Sequence, residues 1–381
     1  MAVNKAQRKR MAIIQQGRLD ITFLALVLIL LTVGLVMLFS ASYAFSLANY
    51  NSSYLFILNQ AKNAAFGVFV MFLASRVDYH LYKKFAWIIL LVTWVMLALL
   101  YVFPPMLKGT DVRRWIVIGG FNFQPSEAAK FAITVILAAL VSSNQRRMKS
   151  WKFILFLFGI LIATVLLIFF ETHVSAAFIV ALLGFVILVV GGLQLRYVFG
   201  CIGATAGAVA ILWFTPLFKY VNDKFDYWFD PWSDPLGKGF QTIQSLLAIG
   251  SGGIMGRGIG QSRQKYLWVP EPHNDFIFSI VCEELGLLGA LAIIAVFVLL
   301  VWRGFNIAMR SKDRFGSLLA IGLTFHVGLQ AMLNIFVVTN FLPNTGISLP
   351  FFSYGGTSLV FLLAEMGVVL SVSRGASLEK G

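Results

Sequence analysis

Charge is scarce in this chain. Of 381 residues only 12% are charged while 59% are hydrophobic, and a soluble domain carries roughly a quarter charged residues. That shortage excludes an ordinary soluble fold. Cysteine is nearly absent as well: Cys201 and Cys282 both sit in apolar context and read as packing residues, which leaves no disulfide framework and no cysteine metal site. The four histidines, His80, His173, His273 and His326, are dispersed without the HExxH spacing of a zinc enzyme. A GxSxG nucleophile elbow is missing, as are a solenoid period and the Gly-Lys-Ser/Thr ending of a nucleotide-binding loop.

What is abundant is long apolar sequence. Runs of about 20 residues, enough to cross a bilayer core, recur near 21–45, 56–75, 84–103, 125–142, 152–170, 174–193, 197–215, 276–302, 315–341 and 351–373. None shows the period-2 alternation of a membrane β-barrel. The expected fold is therefore an all-α polytopic membrane protein of about ten transmembrane helices. Residues 21–373 form one membrane domain between tails at 1–20 and 374–381. The N-terminal tail is basic and polar, and the run after it is too long for a signal segment, so it reads as an uncleaved first helix.

Lysine and arginine set the orientation. With the N-terminus inside, the inner segments hold 19 of them and the outer segments 9, most of these in one long loop. The positive-inside rule then places both termini in the cytoplasm. The same distribution explains the formal charge of +14 without nucleic acid, because the basic residues are scattered over short inner loops. Three loops are left outside, 104–124, 216–275 and 342–350, the largest falling between spans 7 and 8.

Functional residues on a membrane scaffold concentrate in loops and intramembrane polar groups. In the first loop, KGTDVRRWIVIGGFNFQPSEAAK, Pro125 suits a first helical turn and Ser126 can cap it. Glu127 and Lys130 stand three apart on one helix face and should pair. That pair reads equally as an ion pair that aims the helix and as part of a site. Arg113 and Arg114 beside Trp115 can hold an anionic headgroup or anchor at the interface.

The second loop carries six glycines between Gly250 and Gly260, with Arg257, Arg263 and Lys265 close by. This is either a cradle for a pyrophosphate or a re-entrant turn. It ends in VPEPHNDFIFSIVCEELG, where His273 and Asp275 stand at the lip of the eighth span. Asp275 by itself reads as a helix N-cap. Glu283 and Glu284 follow two turns on, expected on the order of 12 Å deeper. Their expected partners are His326, Gln330 and Asn334, which repeat at i, i+4 and i+8 on the ninth span. Glu171 and His173 mark another outer helix end.

Four motifs in order, RRWI…QPSEAAK, DPWSDPLGKGFQTIQSLLAIGSGG, PEPHNDFIFSIVCEELG and LPNTGISLPFFSYGGTSL, resemble the SEDS family (shape, elongation, division and sporulation) from about Asp20 to Arg374. The wording IGQSRQKYLWVPEPHND and NTGISLPFFSYGGTSL is closer to the division and sporulation branch (FtsW and its sporulation relative) than to the elongation branch (RodA). The resemblance implies a peptidoglycan glycosyltransferase that polymerises lipid II on the outer face of the cytoplasmic membrane. The implied partners are a class B penicillin-binding protein and other division or sporulation machinery.

It further implies that Asp275 is the family's essential acid and that Glu127 and Lys130 are its paired acid and lysine. Arg257, Arg263 and Lys265, with Arg113 and Arg114 behind them, become candidate pyrophosphate contacts, and His273, Glu283, Glu284, His326 and Gln330 supporting residues. One departure is Lys224, where family members often carry arginine. No cofactor is required, although a divalent cation such as Mg or Mn suits a pyrophosphate leaving group. The competing class is a transporter, either a lipid II flippase or a proton-coupled carrier using the deep acids. Against it stand the absence of an internal repeat and loops that are large on one side only. A third reading is a non-enzymatic scaffold for the division machinery.

Overall fold

The computed structural model describes residues 19–101, 114–118, 121–171, 173–201, 203, 207 and 227–375. Its architecture is almost wholly helical. In chain order the helices are α1 (Ile21–Tyr50), α2 (Leu55–Arg76), the short α3 (His80–Lys84), α4 (Ala86–Leu99), α5 (Pro125–Ser143), α6 (Trp151–Phe170), α7 (Val174–Val190), α8 (Phe240–Gly252), α9 (Ile277–Met309), α10 (Arg314–Val338) and α11 (Gly356–Gly375). A two-stranded antiparallel hairpin, β1 (Ile116–Ile118) and β2 (Phe121–Phe123), precedes α5.

Nine of the expected apolar runs fall on these helices, and seven helices are long and apolar enough to cross a membrane. The run 197–215 lies largely outside the described residues, as do the tail 1–18, Arg113 and Lys224.

Local signals explain where the helices start. The Asp20 carboxylate caps α1 by accepting from the Phe23 amide at 2.9 Å, and Asp313 caps α10 through the amides of Phe315 and Gly316. Pro125 occupies the first turn of α5 as expected, but the cap position is Gln124. The Ser126 hydroxyl lies instead 3.3 Å from His173 Nδ1.

Burial separates two kinds of helix. α5 and α10 are buried over most of their length, and small residues such as Ala129, Ala132 and Gly322 let neighbours approach closely. α2, α4, α6 and α9 expose large apolar side chains, among them Phe66, Ile88, Leu155 and Val298. That is the surface expected where lipid replaces water as solvent.

The bundle has two unlike ends. At the terminal end, Asp20 pairs with Arg303 at 2.9 Å, the Tyr79 hydroxyl donates to Asp313, and the basic stretch Gln145–Lys149 forms a 3₁₀ turn. At the loop end lie the hairpin, residues 227–276 and residues 339–355.

Two irregular segments are packed into the bundle from the loop end. α9 breaks at Gly286, whose φ of 67° is left-handed. The groups freed by the break find partners in the glycine-rich turn after α8. Arg257 N donates to Glu283 O and Gly258 N to Glu284 O, at 3.0 and 2.9 Å, while Leu287 N donates to Gly253 O at 2.9 Å. Gly256 and Gly286 meet backbone to backbone, so a Cβ on either would collide.

The second segment, 347–355, descends beside α1 until the Phe351 carbonyl rests against Gly34. Gln60 of α2, fully buried, holds it by donating to Ser353 O and accepting from Gly355 N, both at 3.2 Å. Non-helical backbone at this depth is tolerated because protein surrounds it.

Candidate active site

Asp275 stands in the turn just ahead of α9, and it is not the cap of that helix. Phe276 occupies the cap position, without a side-chain hydrogen bond. Three successive carbonyls fix the turn. His273 O accepts from Tyr354 N at 2.8 Å, Asn274 O from Ser353 Oγ at 2.8 Å, and Asp275 O from Asn334 Nδ2 at 2.7 Å.

The backbone is therefore pinned while the carboxylate is left over. Among the described residues no hydrogen bond and no ion pair reaches the Asp275 side chain, which is half-buried against Gly346. Burial pushes its pKa up to about 6; the Glu271 charge adds to the rise and Arg114 opposes it. The His273 ring is packed among Phe45, Phe56 and Tyr354, with centroids at 4.8, 4.3 and 6.0 Å. Burial lowers its pKa to about 4, so it stays neutral and supports the turn by packing.

Arg114 lies close enough to act on both Asp275 and Glu171. Glu171 closes the loop end of α6, where burial raises it to about 8 against the pull of Arg114. His173, facing Gln124 and Ser126, is lowered to about 3 by burial and then by Arg114. The arginine ranked second by sequence is thus the described cation whose charge Asp275 feels. Arg113 lies outside the described residues.

One layer into the bundle, Glu127 and Lys130 form the expected pair at 2.8 Å. Lys130 Nζ also donates to Gln330 Oε1 at 3.2 Å. His326 Nε2 lies 3.0 Å from the same oxygen, and its Nδ1 lies 2.7 Å from Glu365. Glu127 and Gln330 line a small cavity together with Ser348–Phe351, Ser353, Ser358, Leu359 and Leu362. Glu365 and Gln60 are the polar residues that sequence reasoning missed. The available signal was the one that flagged Glu283: a polar side chain within an apolar run.

Glu283 and Glu284 differ from expectation in partner. His326, Gln330 and Asn334 bind Glu365, Lys130, the 347–348 segment and Asp275 O. The two glutamates face the loop instead. Glu283 accepts from the Ser262 hydroxyl and from the amides of Arg263 and Gln264 at 2.9 and 3.2 Å. Glu284 accepts from Ser40 Oγ at 2.6 Å and from Lys265 Nζ at 3.1 Å.

Gly286 breaks α9 just after this pair, so a straight-helix count along the sequence does not give their depth relative to Asp275.

These contacts also engage the glycine-rich stretch. Its amides at 257 and 258 are spent on the broken helix, and the turn that follows cradles an anion supplied by the protein itself, Glu283. Lys265 is 2% exposed and bound to Glu284, Ser40 Oγ and Gly260 O. Its ammonium is bound within the protein. Arg257 donates to Ser251 O and lies 3.8 Å from Glu283, whereas Arg263 is exposed. No three His, Cys, Asp or Glu side chains converge as metal ligands among the described residues.

Fold and site define a helical membrane protein with pinned irregular segments and a group of ionisable residues, Asp275, Arg114 and Glu171, at one end. Within that class the family is shown by comparison. The FtsW/RodA/SpoVE cell cycle protein family model matches residues 21–378, and the chain belongs to that family. It is 38% identical over 359 residues to stage V sporulation protein E of Bacillus subtilis, covering 93% of this chain and 97% of that protein. It is 37% identical over 364 residues to a probable peptidoglycan glycosyltransferase FtsW of Geobacter sp. M18, covering 94% and 98%.

Among solved structures, one described as coordinating polymerization and crosslinking in a peptidoglycan synthase complex aligns with a TM-score of 0.78 at 27% identity, covering 95% of this chain and 99% of that one. The rod shape determining protein RodA of Thermus thermophilus aligns at 0.70 and 25% identity, covering 95% and 98%.

Proposed function

We propose that the protein is a peptidoglycan glycosyltransferase that polymerises lipid II at the loop end of the bundle, with that end on the outer face of the cytoplasmic membrane and both termini inside. Family membership and the names of the relatives support the activity. The observation that carries the mechanism is the Asp275 carboxylate: backbone pinned, side chain unclaimed among the described residues, and raised to about 6. Such a group is ionised at neutral pH yet more basic than an ordinary aspartate, which suits a general base.

In the proposed step Asp275 takes the proton of the acceptor sugar's hydroxyl as that oxygen attacks the anomeric carbon of the donor. The bond from that carbon to the lipid pyrophosphate breaks, and its electron pair leaves on the phosphate oxygen. One displacement inverts the configuration, and no second carboxylate is needed as an acid because the leaving group is already activated. Arg114 is the cation best placed to stabilise the departing charge. A divalent ion carried on the pyrophosphate is compatible with the same geometry.

The lipid anchors hold both substrates at the membrane surface, which is where the acid stands. The polar residues beneath it close into pairs, Glu127 with Lys130 and His326 with Glu365. That arrangement favours an enzyme over a flippase, which needs an open polar path. A class B penicillin-binding protein is the proposed partner.

The test is glycan-chain formation from purified lipid II in detergent, by wild type and Asp275→Ala, each with and without a class B partner. Polymer from the wild type and none from a folded Asp275→Ala protein is the expected result. Equal polymer from both removes Asp275 as the base. Lipid II scrambling in liposomes without polymer from any combination replaces the enzyme with a flippase.

A further inference from the structure

Asn334 carries no charge and can neither donate a proton to a reacting sugar nor accept one from it, yet it occupies the junction of the site. It is fully buried on α10. Both hydrogens of its amide nitrogen are used, one on Asp275 O at 2.7 Å and one on Ile347 O at 2.6 Å. Those carbonyls come from segments far apart in sequence. One belongs to the turn that carries the carboxylate, and the other to the segment whose Gly346 lies against that carboxylate. Four residues earlier on the same face, Gln330 donates to Ser348 O and Ser348 Oγ at 3.1 and 3.0 Å and accepts from Lys130. Consecutive residues of the re-entrant segment are therefore fastened to consecutive turns of one rigid helix.

Resting on the glycosyltransferase reading above, we infer that Asn334 is a positioning residue of the reaction. It sets where the Asp275 carboxylate stands relative to the 344–348 wall, and so relative to the acceptor hydroxyl. The other two fastenings of the turn, Tyr354 N to His273 O and Ser353 Oγ to Asn274 O, hold its earlier residues. Asn334 alone among these holds the peptide of Asp275 itself. Replacing it with aspartate keeps the shape and sets carboxyl oxygens against two carbonyl oxygens. The carboxylate-bearing turn and the wall then part by a fraction of an ångström to an ångström, and a misplacement of that order costs up to about 100-fold in rate. Substrate binding, which depends on groups beyond this peptide, is left nearly intact.

The charged groups that bear on Asp275 are Glu271 and Arg114, and the substitution removes neither. Asn334→Asp adds a carboxyl of its own beside the Asp275 peptide, whereas Asn334→Leu adds no charge, so a shift in the pH profile of Asn334→Leu reports movement of the carboxylate toward water. The experiment measures lipid II polymerisation by the full-length protein with its partner, for wild type, Asn334→Asp, Asn334→Leu, Asp275→Asn and the double variant Asp275→Asn/Asn334→Asp. Thermal melting is recorded for each.

The expected result for Asn334→Asp is kcat lowered about 10- to 100-fold with KM changed less than about 3-fold. The acid limb of Asn334→Leu should move below the wild-type position. The double variant should be no slower than Asp275→Asn, because a misplaced base costs nothing once the base is gone. If Asn334→Asp and Asn334→Leu melt early but the folded fraction turns over at the wild-type rate, Asn334 is structural and the inference falls. A loss in the double variant beyond that of Asp275→Asn also overturns it, since Asn334 would then act independently of the base. If Asp275→Asn itself retains full activity, the failure belongs to the underlying assignment of the base, and the positioning role falls with it.

Discussion

Asp275 and Glu284 stand on either side of the first half of α9, and the fold treats their carboxylates in opposite ways. Glu284 is 1% exposed and receives Ser40, Lys265 and the Ser262 amide. Its neighbour Glu283 receives Ser262, Arg263 and Gln264. These charges are spent on holding a loop to a broken helix. Asp275 is half-buried, receives no described donor on its side chain, and is fixed through its backbone alone. A carboxylate wholly buried and already paired with an ammonium has little to offer a substrate. One that is immobilised and unsaturated still has its lone pairs to offer, and its raised pKa measures how poorly the protein has compensated it.

The comparison breaks most decisively through substitution. Glu284→Ala leaves the Lys265 ammonium buried without its counter-charge, which costs about 3–5 kcal/mol. Folded protein should be largely lost in a detergent melting assay, and replacing Lys265 with methionine in the same chain should recover much of it. Asp275→Asn should show the reverse pattern: full folding and polymerisation reduced about 100-fold or more. Should Glu284→Ala fold normally and lose only activity, the two carboxylates are not the opposites described above.

Next in size is the helix break. Gly286→Ala places a side chain at a φ of 67° and drives its Cβ into the Gly256 backbone. The strain alone is worth about 1–3 kcal/mol. Early melting is expected, and Gly256→Ala should behave alike because the two glycines share one contact.

How much of this was legible in the sequence depends on what kind of interaction was being read. Helices were legible as apolar runs, and the start of α5 was legible because Pro125 acts on its own turn. The Glu127–Lys130 pair was legible because three residues on a helix face lie close by geometry. The partners of Glu283 and Glu284 were not, since Gly286 reads as an ordinary helical glycine until its left-handed backbone is seen, and the break turns both side chains toward a loop 20 residues earlier. The pairing of Lys265 with Glu284 was hidden for the same reason. Asn334 was visible as one rung of a stripe, but its partners, the carbonyls of Asp275 and Ile347, are backbone atoms that no side-chain pattern advertises.

A finer test uses pH. In the proposed step Asp275 must be ionised to take the proton, so activity should fall as pH drops through about 6, with Asp275 setting the acid limb. Arg114 holds that limb down, and Arg114→Gln should move it upward. Stability runs the other way. A carboxyl raised above its unfolded value of 3.8 gives stability that is fully present below that value and lost as pH rises through about 6. Asp275→Asn should therefore melt above the wild type at pH 7.5 and lose that advantage below about pH 4. An unchanged difference across this range would show that the carboxylate is less strained than its surroundings imply.

The smallest effect is expected from the cation that sequence spacing favoured. Arg263 offers its amide to Glu283 while its side chain stays exposed. The backbone contact survives truncation, and a solvated guanidinium at a loop surface contributes up to about 1 kcal/mol to any exposed partner. Arg263→Ala should consequently change polymerisation less than about 5-fold and leave the acid limb in place, because the charges that act on Asp275 are Glu271 and Arg114. Arg114→Ala should cost more than Arg263→Ala in the same assay. The opposite order would relocate the pyrophosphate to the 257–263 loop, and with it the face from which the donor approaches Asp275.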